Sequence, residues 1–140
     1  MVAVARQSRT RPVTREEGRT RLRTAEAYLE VADLVLAEER RSEMPGVAAA
    51  LAVLAGIAAS DAICACRLGQ VHRGDDHRAA ADLLQQATPD GKKIATTFAR
   101  LIDLKDQAHY GITVVPAPTE RQAVQWASRL TTRARQEIER

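Results

Sequence analysis

The run Leu104-Lys105-Asp106-Gln107-Ala108-His109-Tyr110-Gly111 places an amine, a carboxylate and an imidazole within five residues. On a helix Lys105 and His109 stand four apart and Asp106 and His109 three apart, so the three side chains project from one side. That side suits proton transfer or phosphate binding. His109 fits a general base with a pKa near neutrality, Asp106 a group that orients its ring, and Lys105 a point charge for a phosphate. The same residues also fit a solvated helix end, where cations favour the carbonyl terminus.

The elements that must position these residues read as helices. Alanine and leucine dominate, aromatics make up 3% of the chain, and apolar residues recur at helical rather than alternating spacing. Thr14, with Glu16 and Glu17 behind it, opens a long first helix running to about Glu43, with Leu22, Ala25, Leu29, Ala32 and Leu36 as its apolar stripe. Pro45-Gly46 ends it. A second helix from about Val47 to Leu68 is apolar nearly all round and is therefore the buried one. Gly69 to Gly74 forms a turn, and Asp75 or Asp76 caps a short third helix with Ala79, Ala80, Leu83, Leu84 and Ala87 inward. Thr88-Pro89-Asp90-Gly91 stops it.

The fourth helix is expected from about Lys92 to Tyr110, with Gly111 as its cap. Beyond Pro116 and Pro118, the Thr119–Gln122 spacing is that of a capping box. It opens a fifth helix striped by Ala123, Ala127, Leu130, Ala134 and Ile138, with Trp126 beside the stripe as core or subunit contact. The expected fold is an all-α, antiparallel, four- to five-helix up-and-down bundle. Residues 14–140 make one domain, preceded by a basic, disordered arm over 1–13.

Charge is distributed unevenly. Of the net +3, residues 1–23 carry +5, from seven arginines against Glu16 and Glu17, and the remainder sums to −2. Such an arm holds phosphates electrostatically or simply keeps the chain in solution; no aromatic side chains interleave its arginines to stack on bases. Cys64 and Cys66, two apart on a helix, point to different sides and read as packed thiols. The His72-Arg73-Gly74-Asp75-Asp76-His77 run is better explained by helix capping than by a metal. Met44 to Ser60 has no charge, but its seventeen residues are mostly small and Asp61 follows, so a membrane span is not expected. With no charged start leading into an apolar stretch near residue 1, the chain reads as cytoplasmic. Asp61 is the one charge in the middle of the buried helix and needs a partner; the Lys105/His109 side of the fourth helix would supply one, as would a neighbouring hydroxyl or water.

The helix order, the Lys-Asp-Gln-Ala-His-Tyr-Gly patch and the amphipathic last helix behind a proline-bearing connector resemble the HEPN domain family over roughly residues 20–139. The resemblance implies a compact bundle that forms a homodimer. Many members are metal-independent endoribonucleases of toxin–antitoxin, antiviral and RNA-processing systems; others are inactive, bind nucleotides or RNA, or partner a small nucleotidyltransferase. The family's active pattern is an arginine, a polar residue, then a histidine after four to six intervening residues. Here His109 is followed by Tyr110 and Gly111, Asp106 stands at the polar position, and Lys105 takes the arginine's place with three residues between it and His109. Arg100 has eight between. By resemblance, His109, Lys105 and Asp106 would be the catalytic set, with Asp61, Arg100 and Tyr110 supporting it or binding phosphate, and with no metal or cofactor. The rival class is an inactive bundle that binds a nucleotide, RNA or a partner's tail in the same cleft.

Overall fold

The computed structural model describes residues 9–38, 44–105 and 115–140. Over these the chain is an all-α helical bundle of five helices, with one small two-stranded ribbon. The helices are α1 (Arg15–Leu36), α2 (Met44–Leu68), α3 (His77–Ala87), α4 (Gly91–Asp103) and α5 (Ala117–Glu139).

Helix α1 starts where the sequence says it should. Thr14 accepts from the Glu17 N–H, and the Glu17 carboxylate accepts from the Thr14 N–H, a complete capping box. The helix stops at Leu36, short of the expected Glu43, where its apolar stripe ends. Pro45 and Gly46 do not separate the two helices as expected. They lie in the first turn of α2, where proline's missing N–H costs nothing.

Helix α2 packs against α1 on one side and α5 on the other, and its alanines from Ala48 to Ala62, except the half-buried Ala50, are buried. It is long and apolar enough to cross a membrane, yet 67% of its most apolar window is buried inside the fold, which is the pattern of a core helix. Small side chains let the partners come close. Gly18 of α1 is buried against α2, and a Cβ built there would lie 2.9 Å from the Ala65 Cβ. Phe98, Ile63, Leu84, Leu101 and Leu130 supply most of the bulk, with Trp126 packed at the edge.

Three further expectations are corrected. Within the arm, Thr10–Pro12 forms a strand, β1, paired antiparallel with β2 (Gln70–His72), so the segment 69–74 is not a simple turn. Gly69 and Gly74, with φ of 68° and 100°, flank β2 and make the two bends that glycine permits. Helix α4 ends at Asp103 with Leu104 as its C-cap, well before Tyr110. Helix α5 starts at Ala117 with Pro116 as N-cap and no side-chain cap, so Thr119 lies inside its first turn and the Thr119–Gln122 box does not form. Pro116 in extended backbone and Pro118 near the first turn set that start.

The C-terminal half of α5 is pinned from three sides. Its Glu137 is buried at 1% exposure, accepts from Arg133 Nε at 2.8 Å, and holds its second oxygen 3.4 Å from Arg67 Nη1, an ion-pair distance without hydrogen-bond geometry. Arg133 also grips Asp90 with both terminal nitrogens, at 2.6 and 2.7 Å, and holds that carboxyl far below the usual carboxylate range. Arg15 from the start of α1 donates to the Ile138 and Arg140 carbonyls at 2.8 and 3.1 Å, a cation at the negative end of α5.

Candidate binding pocket beneath the arm

Asp106, His109 and Tyr110 lie outside the described residues. The other sequence-selected residues do not come together. Lys105 stands beyond the end of α4, so it does not extend that helix's face, and its Nζ lies 3.0 Å from Nε2 of His77 at the start of α3. Arg100 is exposed on the last turn of α4.

Asp61 finds its partner elsewhere. Arg21 of α1 donates from Nε to Asp61 Oδ2 at 3.0 Å, and its Nη2 lies at the same distance from that oxygen. The expected partner on the fourth-helix side is replaced because Gly18 brings α1 tightly onto α2. Arg21, three residues on, then faces the middle of α2. Burial pushes the Asp61 carboxyl above its ordinary value, although the Arg21 charge and hydrogen bond and the nearby His72 all pull it down. The Cys64 thiol, one turn on in the same helix, is pushed up to about 12 by burial, with the Asp61 charge adding to it.

Over this ion pair lies a pocket of about 390 Å³, walled by α1, α2 and the β1–β2 ribbon. Arg11 and Val13 come from the arm, Glu17, Thr20 and Arg21 from α1, Asp61 and Ala65 from α2, and Val71, His72 and Arg73 from the β2 side. Arg11 is bound to Glu17 at 2.8 Å, and Arg21 to Asp61. His72 is different. Both of its ring nitrogens are buried and neither has a hydrogen-bond partner. Buried polar groups in folded proteins are nearly always satisfied, so an imidazole left open on both nitrogens calls for a group to bond it. Arg73, exposed beside it, has no ion pair among the described residues.

Arg21, His72 and the arm's own strand were not singled out by the sequence reading. Arg21 was counted in the arginine-rich arm and His72 in a run explained by capping. The usable signal was the three-residue step from Gly18 to Arg21, leading from a small contact residue to a cation on the helix face that meets Asp61. Among the described residues no group of three His, Cys, Asp or Glu side chains is arranged to hold a metal ion. No family model matches the chain, and no curated protein matches it.

Proposed function

We propose that this chain is a cytoplasmic, homodimeric, HEPN-like bundle that binds RNA or a nucleotide through phosphate contacts at the pocket beneath the arm, without cutting it. One observation carries the reading. A half-buried imidazole, both of its nitrogens buried and unbonded, sits in a pocket rimmed by Arg11, Arg21 and Arg73, the side chains that recognise phosphate. The chemistry supports binding better than turnover: the two carboxylates that line this pocket with the imidazole, Asp61 and Glu17, are tied to Arg21 and Arg11.

The test is equilibrium binding of labelled, mixed-sequence RNA over a series of salt concentrations, with Arg73→Ala as the comparison. Binding that weakens with salt, with a shallower slope in the variant, is the expected result. Salt-independent binding, or none, overturns the proposal.

The second reading is a metal-independent endoribonuclease with His109 as base, Lys105 steadying the developing phosphorane charge, and Asp106 aiding them, held in check by a nucleotidyltransferase-type antitoxin. The position of Lys105 within 3.0 Å of the His77 ring favours it, since it sets a cation beside a second imidazole. Protein freed of any partner and kept with a chelator would cut single-stranded RNA, and His109→Ala would not. Uncut RNA with the wild type disposes of that reading.

A further inference from the structure

We propose that the pocket beneath the ribbon takes a terminal phosphate, a phosphomonoester such as the 5′ end of an RNA or a mononucleotide, with the phosphate between Arg73 and the His72 imidazole and the arm strand as one wall. This rests on the phosphate-binding reading above and narrows it from any phosphate to an end group.

The charges left over are the first argument. Arg11 is matched by Glu17 and Arg21 by Asp61, so of the cations facing His72 from the arm, α1, α2 and β2, Arg9 and Arg73 have no ion pair among the described residues, with Asp75 and the α3 cap Asp76 on the adjoining wall. Two guanidiniums and one imidazole suit one doubly charged group. A phosphomonoester loses its second proton near pH 6 and then carries two charges, and its oxygens can take a charge-assisted bond from a guanidinium and a hydrogen bond from the ring. An internal phosphodiester has a single charge.

Shape is the second argument. A pocket of about 390 Å³ lies at the small end of the roughly 300–1,000 Å³ span of small-molecule sites, room for about one nucleotide. The ribbon closes one side, because Thr10 pairs with His72 and Arg73 donates its N–H to the Arg9 carbonyl. A strand of RNA running through would have to displace that ribbon, whereas a chain end need only enter. The apolar wall of Val13, Ala65 and Val71 would lie against a sugar or base.

The experiment compares a short RNA bearing a 5′-phosphate with the same RNA bearing a 5′-hydroxyl, and a 5′-mononucleotide with its nucleoside, on the full chain. The phosphorylated forms should bind about tenfold more tightly, and the RNA preference should fade as pH falls below about 6 and the phosphate takes its second proton. Arg73→Ala and His72→Phe should each erase the preference; Arg73 is exposed, so its variant tests the site even if His72→Phe folds poorly. A mononucleotide that binds as tightly as the phosphorylated RNA identifies the free nucleotide as the ligand, and a much weaker one the RNA end. Equal, salt-sensitive binding of both RNAs overturns the end-group proposal while leaving general phosphate binding standing. Binding of neither RNA and of no mononucleotide overturns both.

Discussion

Replacing Glu137 with alanine should destabilise the bundle by about 3 kcal/mol, and the structure sets that magnitude. The Glu137 side chain has 0% exposure and ties α5 to α2 through Arg67 and, through Arg133, to Asp90 ahead of α4. Removing one partner of a buried pair costs roughly 3–5 kcal/mol when it strands the other charge in the interior. Here neither arginine is fully stranded. Arg133 is 22% exposed and keeps its two bonds to Asp90, and Arg67 is 34% exposed and keeps its Nε bond to the Ala87 carbonyl. The loss therefore belongs at the low end. Glu137→Gln keeps the volume and an acceptor for Arg133 but turns an NH2 donor toward Arg67, so about 1–2 kcal/mol is expected. Urea and thermal unfolding followed by far-UV circular dichroism at neutral pH measure both, and the alanine variant should lose on the order of 10 °C in Tm. Losses below about 0.5 kcal/mol in both variants would show that this buried network contributes no net stability, and the reasoning would fail.

Three further outcomes follow from the packing. Cys64, buried and with its thiol pushed up to about 12, should resist alkylation in folded protein at mildly alkaline pH, while stability it lends below its ordinary value near 9 should be lost as pH rises toward 12; rapid labelling of Cys64 in mass spectrometry would contradict this. Gly18→Val should cost about 1–3 kcal/mol in urea unfolding, because its side chain meets Ala65 and must lift Arg21 from Asp61, and a neutral result would mean that the α1–α2 contact is not tight. Deleting residues 1–13 should leave helical content nearly unchanged, since the described part of the arm, residues 9–13, holds one short strand and no helix, yet abolish any preference for a 5′-phosphate; a truncated protein that keeps the preference would remove the arm from the site.

The helices were legible because their signals are local. Thr14 at the start of α1, an aspartate cap before α3 that proves to be Asp76 of the two offered, and the stripe from Ala123 to Ile138 each lie within a few turns of chain, and all appear in the fold. What escaped was non-local or buried against expectation. The pairing of Thr10 with His72 joins segments sixty residues apart, and three-residue strands carry too little alternation to register. Glu120 and Glu137 face inward on α5, which no apolar pattern marks, and Glu137 is held there by arginines from three positions of the chain. The site suffered similarly: Asp61 was rightly flagged as needing a partner, but spacing cannot say which helix brings it.

The arm's charge takes a different meaning once its arginines are followed one by one. Arg11 pairs with Glu17, Arg19 and Arg23 with Glu16, Arg21 with Asp61, and Arg15 binds the last carbonyls of α5. A free basic tail would leave these guanidiniums to polyanions, and the affinity would rise with each one. Instead they are matched within the chain: Arg21 and Arg15 hold α1 onto α2 and α5, Arg11 meets Glu17 at the pocket wall, and Arg19 and Arg23 meet Glu16 on the exposed side of α1. The net +5 of residues 1–23 thus overstates what is left for a ligand. Near the pocket the described cations without an ion pair reduce to Arg9 and Arg73, side by side where the ribbon ends, next to the unbonded His72 ring. Two guanidiniums and an imidazole at one point favour a compact, strongly charged group over an extended backbone. The paired arginines shape the pocket, and the unpaired ones are left to bind.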